Sequence, residues 1–549
     1  MSFKGFSSKS VLIVDDQKPF LLMLKGIIKG MGTHHITTVQ SAESGLTACR
    51  KEKFDFIIAD LHLGTTRKNG YQFLEELRVR KIIKPETVFI MVSGESHRPM
   101  VLGSIERSPD DYIIKPFSQA QLINRLQKSY LKRQAFKAVY QEIHHDNYKS
   151  AIQACLELKK ENSKYRNSCS YLLAEMYWCT EDFEPAQQML QVIVNEKPVH
   201  WAMAALARTE FYLNNHDVAI ELAKKVVAGR LLMLEGYDIL AHAFLAKGEL
   251  EEALHSIKKS LDLSPFSMER QYVGATIGRK SNHFDFARTC CKELFEQSKR
   301  SVYRDLSHMC NYVRSILDAA EHAEEKQIRN RFQQEAMLTL QRLRNDELVV
   351  RSNDDFDYDI YENIITARVN VLDGKNLEAK RTLTRSQIAI DDKFEEYPIV
   401  FAPDSIKVMS DLGEFDEARE LAQKIQDSDY DVDPNVQYVL DSLESTAQEQ
   451  LSQFDHYFSE GQRCFSGGKY QAAYEAYEKA LELSPVNVAT GISILQCITR
   501  LMELAQKPEL GLIVDCKRIH KLVSELPLKQ EQQEEFDKVT SNLSKYLDL

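Results

Sequence analysis

Residues 11–16, Val-Leu-Ile-Val-Asp-Asp, decide the fold: four aliphatic residues in a row, then two aspartates. A short apolar run bounded by polar residues is the pattern of a fully buried strand. Three more such runs follow: Phe56–Ala59 within FDFIIADLHL (54–63), Val88–Val92 within VFIMVSGES (88–96) and Tyr112–Ile114 within DDYIIKPF (110–117). Val39 falls in a further one. Amphipathic segments separate the runs, which predicts βα units around a parallel sheet. Each run ends on a polar residue: Asp15-Asp16, Asp60, Ser93 and Lys115-Pro116. In open α/β sheets ligands bind beyond the carboxyl ends of the strands. Three carboxylates, a hydroxyl and a lysine are therefore expected in one crevice.

That set has a specific chemistry. Crowded carboxylates repel and hold protons more tightly. A divalent cation relieves the repulsion, and Mg²⁺ favours one or two carboxylates with water and phosphate oxygens. A carboxylate can also attack phosphorus and form an aspartyl phosphate, with metal and lysine screening the transferred charge.

Past about residue 130 the strand patterns stop and helix follows helix. Leu173-Ala174, Tyr177, Ala186, Leu190, Ile193 and Pro198 recur as Leu240-Ala241, Phe244, Ala253, Ile257, Ser260 and Pro265, and again around Gly461, Ala473, Tyr477, Ala480 and Pro485. Ala151, Ala186, Ala219, Ala253 and Ala287 are spaced by 35, 33, 34 and 34 residues, with degenerate copies at Ala379 and Ala418. These segments resemble tetratricopeptide repeats, whose period is about 34 residues. The small residues let paired helices approach closely, and proline ends the second helix of a pair. Each pair buries its face against its neighbours, so the array stacks. The turns are short and polar: Glu181-Asp182, Asn214–Asp217, Lys247–Glu249, Gly413-Glu414 and Gly467-Gly468. Two acidic stretches, 353–359 and 427–434, are read as joints between sub-blocks or as solvated loops. Residues 301–352 read as a helical connector. The expected organisation is 8–130, an α/β flavodoxin-like doubly wound domain; 131–300, helical repeats; 301–352, the connector; 353–430, degenerate repeats; and 435–549, a C-terminal helical block of the same type.

Composition agrees with a largely helical chain. Of 549 residues only 21 are Gly and 14 Pro, about 4% and 3% against usual values of about 7% and 5%. The net charge of −11 argues against nucleic acid as the default partner, which needs clustered Lys and Arg. Lys128, Lys132 and Arg133 form a small basic group, expected to be a solvated face at the domain junction. No apolar run approaches the ~20 residues of a membrane span, and Val11–Val14 is too short for a signal-peptide core. The ten cysteines show no C-x-x-C pairing, which points to reduced thiols, no zinc site and a cytoplasmic location. Cys290 and Cys291 are expected in the core, and Trp178 and Trp201 are expected to pack.

The N-terminal motifs, with NGYQFLEELR (69–78) between the second and third of them, resemble the response-regulator receiver domain of bacterial two-component signalling over about residues 8–130. The resemblance implies strand order 2-1-3-4-5. It makes Asp60 the phosphoacceptor. Asp15, Asp16 and Asp60 would hold Mg²⁺ with the backbone carbonyl of His62. Ser93 would bond the phosphoryl group, Lys115 neutralise it and Tyr112 act as the aromatic switch. Lys115-Pro116 would be a cis peptide. His62 and Glu95 lie where the family tunes phosphoryl lifetime. The loop Gly64–Asn69 is about two residues longer than the family norm and lacks its proline, which bears on loop geometry and dephosphorylation.

The first functional expectation is a non-enzymatic signalling adaptor. A sensor histidine kinase or phosphotransfer protein phosphorylates Asp60, and the change alters protein binding by the repeats. The alternative is a constitutive repeat scaffold whose receiver only docks or dimerises. A phosphatase of the haloacid-dehalogenase kind would carry D-x-D on the nucleophile strand, and Asp60-Leu61-His62 lacks the second aspartate. The kinase, the partner held by the repeats and the oligomeric state are left open, a homodimer included.

Overall fold

The computed structural model describes residues 5–64, 67–94, 109–161, 163–229, 234–346, 356–427, 434–505, 510–526, 528 and 530–546. The chain divides into two compact units, Met1–His308 and Met309–Leu549.

The first unit opens with β1 (Ser10–Val14), α1 (Lys18–Gly30), β2 (His35–Val39), α2 (Ala42–Lys51), β3 (Phe56–Asp60), α3 (Gly70–Val79), β4 (Val88–Ser93), β5 (Asp111–Ile114) and α4 (Gln119–Ala135). All strand pairs are parallel, in the order β2-β1-β3-β4-β5. This is the doubly wound order that the receiver resemblance implies. Strand side chains alternate between faces. Leu12, Val14, Ile57, Ala59, Phe89 and Met91 pack under α2 and α3 with Leu46, Phe73 and Leu77. Val11, Ile13, Phe56, Ile58, Val88 and Ile90 pack under α1 and α4 with Leu24, Ile28, Leu122 and Leu126. Strands buried on both faces explain why the apolar runs are continuous.

Among the described residues five helix pairs follow in this unit: α5 (Lys137–His144) with α6 (Tyr148–Glu161), α7 (Arg166–Cys179) with α8 (Phe183–Glu196), α9 (His200–Tyr212) with α10 (His216–Ala228), α11 (Leu234–Lys247) with α12 (Leu250–Leu263), and α13 (Met268–Lys280) with α14 (Phe284–Ser298). The second unit contains most of α15 (Leu306–Glu321), then α16 (Lys326–Leu343), α17 (Tyr358–Leu372), α18 (Asn376–Lys393), α19 (Ala402–Asp411), α20 (Phe415–Gln426), α21 (Pro434–Ser466), α22 (Tyr470–Leu483), α23 (Val488–Leu504), α24 (Leu510–Ser524) and α25 (Gln530–Leu543).

Among the described residues one turn recurs eight times. A left-handed residue closes the first helix of a pair at Asp146, Glu181, Asn214, Gly248, Asn282, Gly374, Gly413 and Gly468. The next amide then bonds back to the carbonyl five residues earlier, as in Asp182 N to Tyr177 O and Glu249 N to Phe244 O, both 2.9 Å. This is a Schellman-type stop. Five positions after each left-handed residue stands a buried alanine: Ala151, Ala186, Ala219, Ala253, Ala287, Ala379, Ala418 and Ala473. A second small residue serves the same packing at Gly461, where a Cβ would lie 2.6 Å from the Tyr477 ring. Among the described residues, 301–346 contain no such left-handed turn.

Three features differ from, or add to, the sequence reading. Lys128 and Lys132 are exposed as expected, but Arg133 is not part of a solvated face. Its Nε donates to Pro85 O at 2.8 Å, and its guanidinium lies 3.8 Å from the Tyr140 ring centre. Of the acidic stretch 353–359, residues 353–355 lie outside the described residues, and Asp357 accepts from Ile360 N to cap α17. Within 427–434, residues 428–433 lie outside the described residues. The second unit also buries an ionic core. Asp404 is fully buried between Arg314 (Nη2 2.9 Å, Nε 3.1 Å) and Arg368 (Nη1 2.8 Å), and Arg368 also reaches Asp318 at 2.6 Å. Cys290 and Cys291 are buried, and the Trp178 indole donates to Thr209.

Candidate functional site: an acidic pocket at the carboxyl edge of the sheet

The pocket lies where β1, β3, β4 and β5 end. Asp15 follows β1 directly, Asp60 is the last residue of β3 and Ser93 the last of β4. Asp15, Asp16 and Asp60 offer carboxylate oxygens that all lie within 4.8 Å of one another. Asp15 and Asp60 are buried and Asp16 is exposed. Three hard, anionic oxygen donors at this separation fit a divalent cation that keeps part of its water shell.

Lys115 enters from the end of β5. Its backbone N–H donates to Ser93 O at 2.7 Å, and the following peptide bond to Pro116 is cis. Its ammonium donates to Asp15 Oδ2 at 2.9 Å and to Asp60 Oδ2 at 3.2 Å. It also sits 3.6 Å from the centre of the Phe20 ring, a cation–π contact that keeps the side chain in the pocket. Phe20 was not found from sequence. It lies in the first turn of α1, four residues past Asp16, and no spacing rule marks it.

Backbone donors hold the carboxylates. Leu61 N donates to Asp60 Oδ1 at 2.8 Å and Gln17 N to Asp15 Oδ1 at 2.9 Å. Burial pushes the Asp60 carboxyl above its ordinary range. Lys115 opposes that shift and Asp15 adds to it. Gly70, the first residue of α3, closes on this strand end. Its N–H bonds Leu61 O at 2.9 Å, and a Cβ there would stand 2.5 Å from Asp60 O.

Ser93 is buried in the same strand edge. Tyr112 pairs with Met91 in register and is half-buried against the α2–α3 core. His62 is exposed. Glu95 and residues 65–66 of the Gly64–Asn69 loop lie outside the described residues. The structure thus brings Asp15, Asp16, Asp60, Ser93 and Lys115 to one edge, with Tyr112 one strand pair away.

This fold and pocket define a response-regulator receiver domain, and a family-model match agrees: response regulator receiver domain, residues 11–127. Residues 234–267 and 457–487 match the tetratricopeptide repeat. The chain therefore joins a receiver to a helical repeat region. Chemotaxis protein CheY-3 of Vibrio cholerae serotype O1 is 29% identical over 121 residues, which is 22% of this chain and 88% of that protein. Transcriptional regulatory protein YvrH of Bacillus subtilis is 29% identical over 124 residues, 23% of this chain and 49% of that protein. The beryllofluoride-activated DrrB receiver domain is 26% identical, with a TM-score of 0.20, covering 22% of this chain and 96% of that one. Each of these likenesses covers less than a quarter of this chain. Among the described residues no helix is long and apolar enough to cross a membrane.

Proposed function

We propose that this protein is a two-component response regulator that accepts a phosphoryl group on Asp60 and answers by changing what its repeats bind. The convergence of Asp60 with Asp15, Asp16 and Lys115 carries the reading. The donor is the phosphohistidine of a sensor kinase or phosphotransfer protein. An Asp60 carboxylate oxygen attacks phosphorus as the P–N bond breaks, and the donor histidine, protonated on its other ring nitrogen, leaves as neutral imidazole. Asp15, Asp16, Asp60 and the backbone carbonyl of His62 would hold Mg²⁺, which neutralises the crowded carboxylates and the phosphoryl oxygens when bound. Lys115 gives up part of its bond to Asp60 and meets the new charge of about −2. Ser93 bonds a phosphoryl oxygen, and Tyr112 repacks behind it. No transcriptional or small-molecule output is proposed.

The receiver (8–130) is the input. The repeats (131–300, 353–430 and 435–549) with the 301–352 connector are the output, a set of protein-binding surfaces working in the cytoplasm. The test is intact mass after mixing with acetyl phosphate and Mg²⁺. One added phosphoryl, lost in Asp60→Asn and in EDTA, is the expected result. No addition from either acetyl phosphate or a panel of phosphorylated kinases, in folded protein, would overturn the reading and leave a constitutive scaffold.

A further inference from the structure

The receiver touches the repeats at two separated places, and both involve α3 and its flanks. Gln72, Glu75 and Arg78 on α3, then Lys81 just past it, follow one another at intervals of three, so the three helical residues share one side. At the far end of this side Lys81 pairs with Asp146 in the α5–α6 turn at 2.5 Å. Glu86 pairs with Lys137 at 3.4 Å. Arg78 lies in the field of Asp110, Arg133 and Tyr140. These contacts hold the start of the first helix pair.

At the near end the partner is the close of the fifth pair, more than 220 residues on in sequence. Lys68 Nζ donates to Arg300 O at 2.6 Å, and Arg300 Nη1 returns to Arg67 O at 3.5 Å. Gln72 Nε2 donates to Gln297 O at 3.3 Å and Ser301 Oγ to Glu75 Oε2 at 2.8 Å. Lys68 is itself anchored on Glu76, a carboxylate 5% exposed, at 3.1 Å. Both ends of the five-pair segment 137–301 are therefore tied to α3 and the residues that flank it, the near end through Lys68, Gln72 and Glu75 and the far end through Lys81 and Glu86.

The same helix is tied to Asp60. Gly70 N bonds Leu61 O, Leu61 N bonds the Asp60 carboxylate, and no side chain intervenes between α3 and the Asp60 carbonyl. A displacement of the Asp60 backbone is passed to the first turn of α3 or taken up by the loop that carries Arg67 and Lys68. The near contacts are polar and short in reach. Such bonds contribute little individually, which suits a contact that opens and closes.

We propose that Arg67, Lys68 and the Gln72–Glu75 side of α3 form a clasp that closes the first five helix pairs onto the receiver, and that the state of Asp60 sets whether it is closed. The second half rests on the acceptor role proposed above. The regulated surface is then the end of α14 and the segment after it, uncovered when the clasp opens.

The test is hydrogen–deuterium exchange on the full chain, comparing wild type with Lys68→Ala/Ser301→Ala, each with and without beryllofluoride and Mg²⁺. Fluorine NMR on the same samples reports whether beryllofluoride is bound, with Asp60→Asn as the blank. The expected result is severalfold faster exchange over 296–305 and 67–73 in the double variant, with β1, β3 and β4 still protected. Beryllofluoride should produce the same change in wild type and no further change in the variant. Unchanged exchange in the folded variant would overturn the clasp. If Lys68→Ala/Ser301→Ala loses protection in the strands, Gln72→Ala takes its place under the same criterion. Bound beryllofluoride without faster exchange in wild type would overturn the coupling. Failure to bind beryllofluoride would remove the acceptor role and the coupling with it, and the variant arm would still decide the contact.

Discussion

Lys115→Met tests how the pocket is balanced. In the wild type one ammonium sits between two buried carboxylates, 2.9 Å from Asp15 and 3.2 Å from Asp60. Methionine keeps the aliphatic stem against Phe20 and removes only the charge. Asp15 and Asp60 then face each other with ligand oxygens no more than 4.8 Å apart. At an effective dielectric of about 20 that separation costs about 3.5 kcal/mol. Water entering beside the exposed Asp16 lowers the figure, so about 1–3 kcal/mol of stability is expected to be lost at pH 7 in EDTA. For the Met1–His308 unit that corresponds to roughly 2–5 °C in Tm. Mg²⁺ should reverse the loss. A cation that binds only the folded state adds about 2.7 kcal/mol at roughly 100 times its Kd. In the wild type it must first displace the ammonium from the same oxygens, so the stabilisation at a given Mg²⁺ concentration is smaller. Calorimetry of the full chain reads both quantities, with the Met309–Leu549 unit as internal reference. A variant that melts with the wild type in EDTA would refute this account, and so would an equal Mg²⁺ shift in the two proteins.

Three further predictions follow from other parts of the chain. Gly70→Ala puts a Cβ 2.5 Å from Asp60 O and 2.7 Å from Met91 Sδ; despite a helix-propensity gain of about 1 kcal/mol, a net loss of about 1–3 kcal/mol and slower phosphoryl incorporation at Asp60 are expected, and a neutral urea midpoint would contradict the close packing. Asp404→Asn leaves Arg314 and Arg368 buried without their shared carboxylate, at a cost of about 3–5 kcal/mol confined to the second unit; a midpoint shift below about 1 kcal/mol would show that the network is not holding that core. Glu175 is pushed up to about 7 by burial, with Glu235 adding to the shift and Arg208 and Tyr171 opposing it. The folded protein therefore keeps this proton where the unfolded chain, at its ordinary 4.5, has lost it, so stability falls as pH rises between about 4.5 and 7. Glu175→Gln should flatten that slope and, at pH 8, gain about 1–3 kcal/mol over wild type; an unchanged slope in pH-dependent melts would assign it to other groups.

What could be read from sequence was whatever repeats or sits at a strand end. A strand buried on both faces must be apolar throughout, so β1, β3 and β4 appear as continuous runs and their polar terminators mark the pocket. The alanine ruler works because a fixed helix–turn–helix geometry places one close approach five residues past each left-handed turn, at Ala151 as at Ala473. The turn position itself was only partly visible, because Gly, Asn, Asp and even Glu181 occupy it. The ionic core of the second unit gave no local signal. Arg314, Arg368 and Asp404 come from three helices, and a lone arginine in a helical stretch reads as a surface residue. Arg133 misled for the same reason: its partners Pro85, Asp110 and Tyr140 lie on other elements.

The end of the loop after Asp60 makes contacts that its length and composition do not announce. Gly64–Asn69 drew attention as an extension whose geometry bears on how long a phosphoryl group survives. In the structure the end of that loop looks away from the pocket. Lys68 N donates to Glu43 Oε1, the Lys68 ammonium rests on Glu76, and the same ammonium reaches the carbonyl of Arg300. Asn69 turns the chain into α3 with a capping box shared with Gln72, and Gln72 continues to Gln297. Within five residues the chain thus passes from loop to helix cap to repeat contact. Insertions in surface loops cost little entropy, so a few added residues are a cheap way to carry an ammonium from the edge of a receiver to a neighbouring helix. If extra length served only the pocket, its side chains would converge on Asp60. Those of Lys68 and Gln72 converge instead on α3 and the end of α14, which is the placement expected of residues that carry a change at Asp60 outward.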